Sequence, residues 1–494
     1  MNVGLPPKKR KLFHKIMAFL HDPDDCSVGL LFGIRQVGKT VLLKQLAQEV
    51  SKGVYVNCKD KKFSAKDWCR LLNQEAVFYF IDEITAMEGY DTELECLFLT
   101  LQNLGKKCKL IFSSSSYGAL KQLNADEFGG GRAHPFELFP LSFEEYVYFS
   151  GDYSSYADIQ GQNLGLEDIV RYLSLDGIPE GMKIVFNRKY FETWYEDVKL
   201  GSDNKYRCER ILHLEGLQIT AIIDILAYTL NETNSLRRLK KNDVSHREFG
   251  KWHRFSFEEA LISIAKRKFR GLSTKDIGIS LAWGLDNGFL FLDLERTQDK
   301  VQDYSTAYYE IGTISSIEDL GTVLKKYVIS PISPLMYSRL RSDLETIAGR
   351  EMINQLFGGL FELAIKAEDI YLQGWKTWHV SYRYNHLGRE VDLVGYGIKH
   401  GQPDLLLEAT LSRKDISMTC IHAVPGEHWV RVMTFAGAGR EYERNFYRIG
   451  AAEALFILST GEIYDLPLEI LGNKTICEGC EYGESRFSAM PAIK

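Results

Sequence analysis

With 494 residues and 56.5 kDa, the chain exceeds what one hydrophobic core usually organises, so two to four domains of roughly 150 residues are expected. It is 45% hydrophobic and 26% charged, the balance of a soluble globular protein, which argues against disorder. A net charge of -6 makes no global case for or against nucleic acid, and no stretch reaches the ~18 apolar residues of a membrane span or resembles a secretory signal. A cytoplasmic protein with no membrane partner is expected. Nine scattered cysteines fit reduced thiols. Cys477 and Cys480 form a single CxxC with no second pair, a poor zinc site.

Residues 1–26 form a basic segment, Lys8-Lys9-Arg10-Lys11, and a helix. A short basic run of this kind reads as a solvated helix face or, following Pro6-Pro7, as an import-like signal with a high false-positive rate.

From 27 to 150, apolar runs at Val28 to Phe32, Val54 to Val56, Val77 to Ile81, Leu110 to Phe112 and Phe136 to Phe139 alternate with helical patterns. Strands alternating with helices imply a parallel sheet covered on both faces, a three-layer αβα domain. Between the first run and the first helix lies Gly33-Ile34-Arg35-Gln36-Val37-Gly38-Lys39-Thr40, followed by Val41. Glycine, four residues, then Gly-Lys-Thr is a phosphate-binding loop. Its backbone amides and the helix N-terminus favour a polyphosphate, Lys39 reaches the β and γ oxygens, and the Thr40 hydroxyl is a ligand for Mg²⁺. Residues 33–41 are therefore expected to bind the nucleotide.

The run ending Phe80-Ile81-Asp82-Glu83 is a buried strand with two acids at its tip. Asp82 is expected to hold the metal through its water shell, and Glu83 to orient or deprotonate the attacking water. The next strand runs into Ser113-Ser114-Ser115-Ser116, where Ser115 is a candidate γ-phosphate or water contact, against a plain serine-rich turn. Gly129-Gly130-Gly131-Arg132 places an arginine beside a glycine loop, either a sensor of γ-phosphate charge or a surface charge.

Residues 151–204 read as a polar connector and helical lid. Residues 205–300 carry helices and then a strand at Phe289 to Leu292, with a cap signal at Ser273-Thr274-Lys275-Asp276. That order suggests a winged helix, and the clusters Arg237-Arg238, Lys240-Lys241 and Lys266-Arg267-Lys268 raise the case for contact with double-stranded DNA, with a plain protein-contact module as the equal alternative. Residues 301–345 connect to a second α/β domain over 346–494, with a helix near Met352 to Ala367 and strands at Glu390 to Tyr396, Asp404 to Thr410 and Trp429 to Phe435.

The phosphate loop, Phe80 to Glu83, Gly131-Arg132, Pro140-Leu141-Ser142-Phe143-Glu144-Glu145-Tyr146 and Tyr172-Leu173 with Gly177-Ile178-Pro179-Glu180 together resemble prokaryotic AAA-type ATPases that carry a C-terminal restriction-endonuclease-like domain. The resemblance spans nearly the whole chain. It implies ATP as cofactor with Mg²⁺, an extra strand between the loop strand and the acidic strand, a lid, a winged helix, and Arg132 as a nucleotide-sensing or trans-acting arginine in a homo-oligomer. For the nuclease-like part, Glu362 on the helix, Asp392 on the first strand and Glu408 on the second match the metal-binding acids, whereas Thr410 stands where the pattern has lysine. The expectation is an ATPase switch coupled to nucleic acid or a partner. The alternatives are an ATP-controlled metal-dependent nuclease, and a regulator that assembles on ATP with negligible hydrolysis.

Overall fold

In the computed structural model, the residues described are 5–22, 28–34, 37–59, 77–87, 108–114, 133–173, parts of 278–333, 350–373, 382–386, 389–395, 404–411, 429–443 and 446–466. Helix α1 (Lys11–His21) turns Phe13, Ile16, Phe19 and Leu20 inward at helical spacing. The strands β1 (Val28–Phe32), β2 (Gly53–Asn57), β3 (Phe78–Asp82), β4 (Lys109–Ser113) and β5 (Ala133–Glu137) form an all-parallel sheet ordered β2-β3-β4-β1-β5.

The three inner strands are nearly continuous apolar runs because both of their faces are covered. Strand β4 lies between the loop strand β1 and the acidic strand β3, so the tips of all three meet at one edge. Helix α2 (Lys39–Glu49) follows β1 through the phosphate loop. Helices α3 (Phe143–Ser150) and α4 (Leu166–Leu173) follow β5, joined by a 3-10 turn at Tyr156–Ile159.

Beyond residue 290 comes β6 (Leu290–Thr297), β7 (Lys300–Val301), helix α5 (Tyr304–Gly312), β8 (Val328–Pro331) and the long helix α6 (Arg350–Gln373). Then follow β9 (Tyr382–His386), β10 (Arg389–Gly395), β11 (Asp404–Glu408), β12 (Trp429–Phe435), β13 (Arg440–Glu443), β14 (Phe446–Gly450) and helix α7 (Ala451–Thr460). These strands make a mixed sheet ordered β13-β14-β12-β11-β10-β9-β6-β7, with β8 on β6. Strands β9, β10 and β11 are antiparallel neighbours, and β12 and β14 continue in parallel.

The two sheets share one apolar core. Phe143, Tyr146 and Tyr172 of the first unit lie in the same buried cluster as Phe361, Ala454, Leu455 and Leu458 of the second. Phe139 stacks on Tyr371 at 4.9 Å, and Lys11 Nζ donates to the Ser459 carbonyl at 3.2 Å.

Two expectations shift. The strand anticipated at Phe136 to Phe139 occupies Ala133–Glu137, because an edge strand needs no continuous apolar run and tolerates Pro135. The strand anticipated to close the unit at 205–300 extends to Thr297 and pairs in parallel with β9, so its hydrogen bonds join it to the C-terminal sheet. The rest of the anticipated winged helix, its basic clusters and the Cys477/Cys480 pair lie outside the described residues.

Candidate functional site

The phosphate loop bends where glycine is needed. Gly33 has φ +147°, with a Cβ position only 2.5 Å from the Leu138 carbonyl oxygen, and Gly38 has φ +107°. Gly38 is also the N-cap of α2, which has no side-chain cap and no acid in its first turn. Such a helix start presents its amides and positive dipole end to an anion. Lys39 is 5% exposed, and its Nζ donates to the carbonyls of Gly33 at 2.7 Å and Ile34 at 3.0 Å, inside the curve of the loop.

Asp82 is fully buried at the tip of β3. Its Oδ2 accepts from Thr40 Oγ1 at 2.6 Å and from the Tyr55 hydroxyl at 2.9 Å, and its Oδ1 accepts from Ser113 Oγ. Three hydroxyl donors compensate the desolvation of a buried carboxylate and fix its orientation. A carboxylate and a threonine hydroxyl in contact are the hard oxygen pair that suits Mg²⁺ beside a phosphate, so these residues fit the metal the motif implies.

Glu83 follows with φ +57° and ψ +46°, a left-handed conformation that costs a non-glycine residue roughly 1–2 kcal/mol. Such a conformation persists only where the surrounding structure over-determines it. Lys59, just past β2, sits 3.4 Å from its carboxylate. Cys58, between them, has its thiol pushed up to about 12, by burial first and then by the charges of Asp82 and Glu83. At the tip of β4, Ser114 and Thr85 share a hydrogen bond of 2.5 Å.

The structure thus gathers Gly33, Ile34, Val37, Gly38, Lys39, Thr40, Asp82 and Glu83 at one sheet edge, with Val41 next in α2. Arg35, Gln36, Ser115 and Arg132 lie outside the described residues. The sequence reading missed Tyr55 and Ser113 as partners of Asp82. Parallel register could have found Ser113: Ile81 pairs with Phe112, which sets the next residues abreast.

In the second unit, Asp392 Oδ2 accepts from the Ala409 amide at 2.8 Å. Continuing the register of Leu393 with Leu407 by one step sets Asp392 opposite Glu408. Glu362 is buried and paired with Lys366 one helical turn on, Nζ to Oε1 3.0 Å. Among the described residues no group of three or more His, Cys, Asp or Glu stands close enough to hold a metal ion. Glu362 therefore does not join Asp392 and Glu408 in a ready cation site. The Thr410 amide donates to Thr434 Oγ1 at 2.8 Å, and that hydroxyl donates back to the Thr410 carbonyl at 2.7 Å.

A parallel sheet in this order, with a phosphate loop at one strand tip and a buried aspartate at another, defines a P-loop αβα nucleotide-binding domain. Residues 27–147 match a family model described as an AAA domain, so the chain carries an AAA-type P-loop ATPase domain. An uncharacterized protein of Methanocaldococcus jannaschii is 23% identical over 187 residues, 34% of this chain. The match spans about a third, 36%, of that relative's length. Among solved structures, the Aeropyrum pernix ORC2 protein in its ADPNP-ADP complexes has a TM-score of 0.32 at 12% identity, covering 66% of this chain and 96% of its own. AMPPCP-bound DnaA from Aquifex aeolicus has a TM-score of 0.26 at 18% identity, covering 54% and 81%. No helix among the described residues is long and apolar enough to cross a membrane.

Proposed function

We propose that this chain hydrolyses ATP with Mg²⁺ and works as a nucleotide-driven switch coupled to double-stranded DNA or a partner protein. The observation that carries the reading is the Asp82 carboxylate, buried and shared by Thr40, Tyr55 and Ser113 beside the Lys39 ammonium and its loop. Thr40 and Asp82 are the residues to hold the cation, which supplies charge neutralisation on the phosphates. Lys39 draws on the β and γ oxygens, and Glu83 orients water for in-line attack. The trans-acting role of Arg132 and a homo-oligomer belong to the same proposal, as does the coupling through a lid and winged helix. The test is ATP hydrolysis with and without duplex DNA beside Lys39→Ala. Hydrolysis is expected to fall about a hundredfold or more in the variant. Turnover that survives Lys39→Ala refutes the reading.

A second reading is favoured by Asp392 standing opposite Glu408 on antiparallel strands, with a buried lysine, Lys366, on the helix packed against β10. It is a restriction-endonuclease-like unit whose metal-dependent cleavage takes its positive charge from α6 in place of Thr410. Duplex DNA cleavage with a divalent metal that disappears in Asp392→Ala supports it, and its absence in the wild type removes it.

A further inference from the structure

The basic N-terminal run is a strap. Lys8 Nζ donates to the carbonyls of Tyr148, at 2.7 Å, and Gly151, closing the end of α3. Gln45 on α2 donates to the Pro6 carbonyl at 2.7 Å and the Lys8 carbonyl at 3.0 Å, and the Tyr156 hydroxyl to the Lys9 carbonyl at 3.0 Å. At its centre Arg10 is 7% exposed. Its Nε and one terminal nitrogen grip Glu145 at 2.8 and 2.7 Å, and that terminal nitrogen also donates to Phe139 O at 2.7 Å. The other terminal nitrogen donates to the carbonyl of Val37 at 3.0 Å.

Val37 belongs to the phosphate loop. In a trans peptide the carbonyl and the following amide point in opposite directions. Holding the Val37 carbonyl on Arg10 therefore turns the Gly38 N–H away from the strap and toward the open side of the loop. Glu145 in turn caps α3, accepting from the Ser142 amide at 3.3 Å, while the Ser142 hydroxyl accepts from the Glu145 amide at 3.1 Å. The next amide, Phe143 N–H, donates to Glu368 of α6 at 2.6 Å. Burial would raise the Glu145 carboxyl, but the Arg10 guanidinium and the Lys11 amide outweigh it and hold it below the usual carboxylate range.

We infer that Arg10 is a positioning residue of the nucleotide site, fixing the Val37–Gly38 peptide with its amide toward the phosphates and tying that geometry, through Glu145 and the start of α3, to helix α6 of the second unit. The inference rests on the phosphate-loop reading above. A lysine keeps the charge but lacks the planar fork that spans Glu145, Val37 and Phe139 together.

The test measures ATP affinity by calorimetry and thermal midpoint without nucleotide for the full chain and four variants. Arg10→Lys is expected to lose about tenfold in ATP affinity. Lys8→Ala, which loosens the strap without touching the loop, is expected to lower the midpoint and leave affinity unchanged. Glu145→Gln, which keeps the volume but weakens the grip on Arg10, is expected to lose about threefold, and it decides the matter if Arg10→Lys does not fold. Wild-type affinity in Arg10→Lys or Glu145→Gln, or an equal loss in Lys8→Ala, overturns the inference. Lys39→Ala separates the two readings: if it binds ATP as the wild type does, the nucleotide site itself is misplaced.

Discussion

Gly33→Ala measures how far the loop depends on a backbone that only glycine adopts. At φ +147° an alanine is strained by roughly 1–3 kcal/mol. Its methyl also falls 2.5 Å from the Leu138 carbonyl oxygen. That oxygen is poorly placed to retreat, since Leu138 is 2% exposed and its amide donates to Phe32 O at 3.0 Å. Overpacking of this kind adds roughly 1–3 kcal/mol. The sum is ~4 kcal/mol, or about 8–16 °C in the unfolding midpoint of a unit of this size. Gly38→Ala is the matched control, with φ +107° and nothing within 4 Å of its Cβ position. It carries the strain alone, ~2 kcal/mol, and is expected to shift the midpoint by about 4–8 °C. Calorimetric scans without nucleotide read both, and equal midpoints for the two variants refute the steric part of the argument.

Tyr55→Phe removes one of the donors to Asp82 and is expected to cost ~1 kcal/mol of stability, with a fall in ATP turnover larger than any fall in ATP affinity. The Glu368 carboxyl is raised well above its usual range by burial, so the folded state keeps its proton where the unfolded chain has lost it. Its contribution is full below about pH 4.5 and declines as pH climbs toward the folded value. Midpoints measured from pH 5 to 9 are expected to fall less steeply in Glu368→Gln than in the wild type, and parallel curves count against this. Glu145 runs the other way: its contribution is present above the unfolded carboxyl value and is lost as pH falls through its lowered one, so Glu145→Gln is expected to flatten the acid limb of the same curves. Cys58, its thiol pushed up to about 12 by burial first, is expected to resist iodoacetamide at pH 8 in the folded protein, and labelling read by peptide mass mapping under those conditions counts against this.

The inner strands were legible because burial on both faces leaves an unbroken apolar run: β1 begins and ends where Val28 to Phe32 does. The edge strand β5 was not, since only one neighbour pairs with it and His134 and Pro135 stay exposed. Lys39, Thr40 and Asp82 were found because a loop between strand and helix is a local pattern. Tyr55 and Arg10 reach their partners across 27 residues in each of their contacts with Asp82 and Val37, through pairings that no short window contains. Ser142 and Glu145 did carry a readable signal, the spacing of a capping box, although it does not announce that the same glutamate receives Arg10.

The hydrogen bond from Lys11 to the Ser459 carbonyl spans 448 residues of chain. At roughly 5–20 residues per second, the ribosome delivers the second partner ~20–90 s after the first. Through that interval the apolar faces of α3 and α4 have no α7 to cover them. The phosphate loop is thus made well before the helix whose Ser459 carbonyl takes the Lys11 hydrogen bond. A nascent chain halted before α7 is expected to expose these faces and to be a client for chaperones.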